Sequence, residues 1–267
     1  MRFLNRSLAA LVLAAGVSAA AEDLTIVSKR THDGKPSDNT TSYLASDHVR
    51  MAQDEGRESI VDLKTGQMTM LDGKKKTYYI ITRQDMEQFK AKMAERMNSP
   101  EMKQAEEKMK SLPPEVQKKM EAMMGGVAGS FDVQKTGTTR KVAGYACENW
   151  TITLGQFSKT EECLTSDLQL PVQAWDTYRD FAESMKSMTA AMGPMAKNMA
   201  QMQEKFKGMK GFPLATTTAV SVLGHSSTST SEVTEIKRGP IPASAWEVPA
   251  GYTKVDNPML KALQSSK

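Results

Sequence analysis

The sequence predicts an α+β protein in which short antiparallel strands are interrupted by two methionine-rich helical blocks. Three observations carry that class. Apolar and β-branched residues alternate with a period near two from Leu24 to Thr82, and the pattern resumes beyond Phe131. Over 84–124 and 175–210 the apolar residues recur every three or four positions instead. Turn pairs such as Asp33-Gly34, Thr65-Gly66 and Asp72-Gly73 separate the runs at spacings that suit a meander.

The first 21 residues read as an export signal. Arg2 and Arg6 precede an apolar run from Leu8 to Val17, and Ser18 to Ala21 supply the small residues of a cleavage site. The run is too short for a membrane anchor, and no later stretch approaches the roughly 20 apolar residues of a transmembrane segment. The expected product, cleaved near Ala21, is soluble and periplasmic or secreted from a bacterium. Formal charge is +4, and without Arg2 and Arg6 it is +2, which argues against a nucleic-acid partner.

Residues 22–256 are expected to form one domain. Its first strands are Leu24 to Lys29, Thr40 to Ala45, His48 to Ala52, Glu58 to Leu63, Gln67 to Leu71 and Thr77 to Thr82. The first insertion, 84–124, reads as three short amphipathic helices. Ser99-Pro100-Glu101 looks like a cap followed by proline at the first helical position, and Gly125-Gly126 ends the block. Its eight basic and eight acidic residues balance, which suits a solvated outer face. Strands resume at Phe131 to Lys135 and Thr139 to Val142, followed by a hairpin from Tyr145 to Thr165. After the second insertion, strands are expected at Leu214 to Val222 and Ser229 to Lys237. Ile241 to Val255 closes the domain, and 257–267 is expected to be a flexible tail.

Two cysteines remain in an oxidising compartment, where a pair is normally bridged. A turn centred on Gly155 sets Cys147 opposite Cys163 on neighbouring strands, within disulfide reach. Closing that loop contributes about 3 kcal/mol in the chain-entropy model. A redox-active pair is the sharper alternative, but the spacing is not Cys-x-x-Cys.

The second insertion carries Tyr178, Phe181, Met185, Met188, Met192, Met195, Met199, Met202, Phe206 and Met209 in alternating steps of three and four. That 3.5-residue repeat is a coiled-coil seam, kinked at Gly193-Pro194. Three readings stay open. Thioethers fill irregular gaps, so the seam could simply be core, paired within the chain or in a homodimer. The same softness suits a deformable surface for a variable apolar guest, a lipid or acyl chain or a hydrophobic peptide. Alternatively Met185, Met188, Met192, Met195, Met199 and Met202 could bind Cu(I), which favours soft ligands.

Enzyme motifs are absent: no nucleophile elbow, zinc-protease helix or phosphate loop occurs, and His32, His48 and His225 sit in no recognisable nucleophile arrangement. No cofactor is expected. Asn39-Thr40-Thr41 fits a glycosylation acceptor only by chance behind a bacterial signal.

Several stretches carry a family resemblance. Tyr43 to Met51, Ser59 to Asp62, Lys76 to Tyr78, Val142 to Cys147, Gly211 to Leu214 and Trp246 to Tyr252, in that order, resemble the bacterial family catalogued as domain of unknown function 4412. That family is similar in layout to LolA-type lipoprotein carriers. The resemblance implies a strongly curved antiparallel sheet, an unclosed barrel, with the two insertions covering one face over an apolar cavity. Together with the deformable seam, that layout points to a non-catalytic binding protein for a hydrophobic guest; Cu(I) binding, which rests on the seam methionines alone, is the runner-up.

Overall fold

The computed structural model of the 267-residue chain describes residues 22–261, apart from most of 102–130, all of 172–204 and positions 55, 98, 156, 207, 223–224 and 259. The expected signal segment, 1–21, lies outside the described residues.

A twelve-stranded sheet dominates. Its strands are β1 (Leu24–His32), β2 (Lys35–Leu44), β3 (His48–Gln53), β4 (Arg57–Asp62), β5 (Gln67–Asp72), β6 (Thr77–Ile81), β7 (Phe131–Val142), β8 (Tyr145–Leu154), β9 (Ser158–Thr165), β10 (Phe212–Val222), β11 (His225–Arg238) and β12 (Thr253–Lys254). They lie in the order β12-β6-β5-β4-β3-β2-β1-β11-β10-β9-β8-β7. Every pairing is antiparallel except β12 on β6. Two meanders, β1–β6 and β7–β11, therefore meet back to back where β1 pairs with β11. The connection from Ile81 to Phe131, which holds the first insertion, links strands at opposite sides of the sheet. The connection that holds the second insertion links the neighbours β9 and β10.

The sheet rolls without closing. Arg140 Nη1 on β7 approaches Glu232 Oε2 on β11 to 3.2 Å, whereas four strand spacings in a flat sheet would put them roughly 19 Å apart. Ladder irregularities supply the bending. They fall between Val27 and Ser28 and between Ser28 and Arg30 on β1, between Lys135 and Thr139 on β7, and between Pro213 and Ala215 on β10. Pro213 lies outside the β11 ladder, which begins at Ala215, so its missing N–H costs no bond there.

Inside the roll lies a core of Leu24, Ile26, Val142, Cys147, Cys163, Leu168, Leu214, Ala215 and Val233. Cys147 and Cys163 are bonded, with Cα atoms 5.3 Å apart. Their register differs from the expected one. Leu154 pairs with Ser158, so the turn is centred one residue beyond Gly155, and Cys163 faces Asn149 rather than Cys147. The bridge spans a diagonal, which strand twist brings together.

β3 to β6 begin and end within a residue of the predicted limits, whereas β1 runs on to His32 and β2 begins at Lys35, five residues before the predicted Thr40, so the first hairpin closes tightly on Asp33-Gly34. Phe131 to Val142 is a single bulged strand, not two: Gly137, at φ 76°, takes the left-handed conformation that the bulge requires. Of the two predicted helical blocks, the described residues contain one helix, α1 (Arg83–Met97). Thr82 caps it: Asp85 N donates to Thr82 Oγ1 at 3.1 Å while Thr82 N donates to Asp85 Oδ2 at 2.7 Å. Helical positions resume at Pro100 and Glu101. The block 175–210 lies outside the described residues except for Lys205, Phe206 and 208–210. At the tail, Lys261 N donates to Asn257 O at 3.2 Å.

Candidate ligand-binding groove

Alternation along β3 to β6 sorts their side chains onto two faces. Met51 pairs with Ser59, Ser59 with Met70 and Met70 with Tyr79, so these four residues form a row across four strands. One rung nearer the turns, Arg57, Asp72 and Thr77 form a second row on the same face. Val255, Asp256 and Pro258 stand against these rows. The space enclosed is a groove of about 510 Å³, within the size range of small-molecule sites. Met51 remains 47% exposed and Val255 42%, so apolar surface lies open to a guest. At one end the β3–β4 and β5–β6 turns touch, with Gly73 N donating to Gly56 O at 2.6 Å. A Cβ on Gly73 would come within 2.9 Å of that carbonyl, so this contact requires glycine.

The opposite face of the same strands fixes the groove's outer wall. His48 and Arg50 point there, and the 3₁₀ turn Ala243–Trp246 packs against them. The His48 and Trp246 rings stack at 5.2 Å. Arg50 Nη1 donates to Ala245 O at 2.6 Å, while its Nε and Nη2 bond the Glu58 carboxylate. Beyond that turn the chain becomes β12, where Thr253 N donates to Lys76 O and Val255 N to Tyr78 O. The C-terminal strap thus crosses the back of the sheet, wraps its edge and delivers Val255 to the groove. Beside it, Lys64 and then His48 hold the Asp47 carboxyl down at about 2.

A second cavity of about 440 Å³ lies inside the roll and is polar. Thr138, Arg140, Asn149, Thr151, Glu161 and Thr217 contribute to its lining. Asn149 Nδ2 donates to Thr138 Oγ1 at 2.9 Å, and Thr136 Oγ1 donates to Asn149 O at 3.0 Å.

Of the sequence-predicted site residues, Cys147 and Cys163 join as a buried disulfide. Phe206 is exposed and tilts over Phe131 at 5.2 Å, with Lys205 donating to the Phe131 carbonyl. Met209 is half-buried. Tyr178, Phe181, Met185, Met188, Met192, Met195, Met199 and Met202 lie outside the described residues, and with them the apolar seam and the Cu(I) alternative. Among the described residues no group of three or more His, Cys, Asp or Glu could hold a metal ion. No described helix is long and apolar enough to cross a membrane. His32 lies between Ser229 Oγ at 3.1 Å and Asp33 Oδ2 at 3.5 Å, but that cluster is exposed and lines neither cavity.

Sequence reasoning did not single out Met51, Met70 and Tyr79. The available signal was their alternate spacing within three consecutive strands, which becomes a row only once register is known.

Comparison with known proteins places most of the chain. The family model Domain of unknown function (DUF4412) matches residues 83–252. The resembling stretches Val142 to Cys147, Gly211 to Leu214 and Trp246 to Tyr252 fall inside that match, whereas Tyr43 to Met51, Ser59 to Asp62 and Lys76 to Tyr78 precede it. No curated protein matches. Among solved structures, PNGF-II is similar at 11% identity and TM-score 0.40, over 91% of this chain and 32% of its own. The Pseudomonas aeruginosa MucA/MucB complex is similar at 13% and TM-score 0.39, over 87% of this chain and 56% of that one. A LolA superfamily protein from Nitrosomonas europaea is similar at 6% and TM-score 0.25, over 85% and 90%. The chain thus spans about a third of PNGF-II and about half of the MucB chain.

Proposed function

We propose, for a chain that belongs to the Domain of unknown function (DUF4412) family, that the groove on β3 to β6 binds the acyl chain of a single-chain lipid without transforming it. The family brings no activity with it, so the reading rests on the site itself. One observation carries it: the row Met51, Ser59, Met70 and Tyr79 faces an open groove of about 510 Å³ instead of a packed layer. Thioether side chains adapt to an acyl chain that lies in more than one way, because three soft rotors let them follow its shape. An aromatic and an aliphatic wall, Tyr79 and Val255, complete the apolar lining. Catalysis is no part of this reading. Export is part of it: residues 1–21 resemble a signal segment, and a buried disulfide suits an oxidising compartment.

Titration of the mature protein with a fluorescent acyl probe tests the reading. Wild type is expected to bind saturably, Met51→Leu to bind nearly as well because the swap conserves volume, and Met70→Lys to lose binding. Absence of a saturable site, or equal affinity in Met70→Lys, would overturn it.

A further inference from the structure

Resting on that acyl-binding reading, the groove also discriminates among head groups. Gln53 stands two residues from Met51 on β3 and so faces the same groove. Its backbone is committed: Gly56 N donates to Gln53 O at 2.8 Å, closing the β3–β4 turn. Its side-chain carbonyl is not. Gln53 Oε1 is sealed from water and accepts no hydrogen bond among the described residues. A buried acceptor without a donor is costly, and native proteins rarely leave one. The last torsion of a glutamine side chain is soft, so the carbonyl can turn toward the groove when a donor arrives there.

The charges around the groove do not favour an anionic head. Asp72 and Asp256 line it as further acceptors. Lys75 is largely exposed and already lies 3.5 Å from Asp72, and Arg57 has a partner of its own. A carboxylate or phosphate head would thus meet cations already engaged and the like-charged carboxylates of Asp72 and Asp256, and would bring no donor to Gln53 Oε1. We infer that the groove selects single-chain amphipaths whose head donates hydrogen bonds and carries no negative charge, such as a primary amide or an amine, with Gln53 Oε1 as the acceptor that reads it.

Competition against the fluorescent acyl probe tests this with three ligands of equal chain length: lauramide, laurylamine and laurate. For wild type, lauramide and laurylamine are expected to displace the probe roughly 3- to 10-fold better than laurate, the net value of one hydrogen bond. Gln53→Met should shrink that preference, with displacement by each ligand read against the variant's own affinity for the probe. Gln53→Glu, a second variant, should favour laurylamine over lauramide. Equal displacement by all three in wild type, or a preference unchanged in Gln53→Met, overturns the inference while the acyl site stands. Failure of the probe itself to bind overturns the acyl site, and the inference with it.

Discussion

Arg140 on β7 and Glu232 on β11 form an ion pair at 3.2 Å although three strands lie between them in the sheet. The pair marks how tightly the C-terminal meander rolls, yet both side chains are about half exposed, at 47% and 54%. Exposed pairs contribute little, so Arg140→Ala is expected to cost less than about 1 kcal/mol. Leu214→Ala empties a position only 1% exposed in the core beneath that roll, and should cost about 2–5 kcal/mol. Urea unfolding of the two variants separates the causes. Equal losses would mean that the ion pair contributes as much to the rolled sheet as the core position beneath it, against this expectation.

The diagonal disulfide makes a separate prediction. Removing it in a Cys147→Ala/Cys163→Ala double variant should cost about 3 kcal/mol by releasing the unfolded chain. The β8–β9 ladder on either side needs no bridge to keep its register, so the folded spectrum should be unchanged. A variant as stable as wild type would show that the bridge constrains nothing that folding has not already fixed.

Two carboxylates give stability opposite dependences on pH. Asp47 is held down at about 2 by Lys64 and then His48, below its ordinary 3.8. A depressed carboxyl stabilises the fold above the unfolded value, and that stabilisation is lost as pH falls toward about 2. Asp33, Asp62 and Asp72 are lowered as well, so Asp47→Asn should flatten the acid limb of the urea midpoint against pH without abolishing it. Glu162 behaves in reverse, because burial raises its carboxyl and disfavours the ionised form. Glu162→Gln should therefore stabilise the protein near neutral pH. The gain should shrink as pH falls through the carboxylate range, where Glu162 itself becomes neutral. A gain that persists unchanged in acid would point to packing instead.

The strands were legible because each signal was local. Alternation in β3 to β6 and paired turn residues such as Thr65-Gly66 place the elements without any knowledge of their neighbours. Register was less legible. The hairpin turn after β8 lies one residue beyond Gly155, which is enough to move Cys147 from the position opposite Cys163 to a diagonal one. The β7 bulge reads in sequence as a break, since Gly137 signals a turn when nothing shows the partner strand passing it. The groove was the least legible feature: Met51, Met70 and Tyr79 lie in separate strands, and only the pairing Met51–Ser59–Met70–Tyr79 makes them neighbours. The dense methionine seam from Met185 to Met202 was the stronger signal in one dimension, yet the groove is built from sparser methionines that the sheet gathers.

Arg50 connects the back of the sheet to the groove in front. Its ion pair with Glu58 is nearly buried, at 12% and 15% side-chain exposure, and its Nη1 also holds Ala245 O. Arg50→Met would strand the Glu58 carboxylate and should cost about 3–5 kcal/mol, whereas Arg50→Met/Glu58→Leu should recover most of that loss. Trp246→Ala tests the strap more gently, because it removes the ring stacked on His48 but leaves the ion pair in place. The strap should then hold Val255 less firmly, and acyl-probe affinity should fall at least roughly 3-fold through lost pre-organisation. Trp246 does not line the groove, so the loss would have to travel along the strap through β12. Unchanged probe binding in a Trp246→Ala variant whose stability has fallen would separate the two and leave β12 pairing alone as what positions Val255.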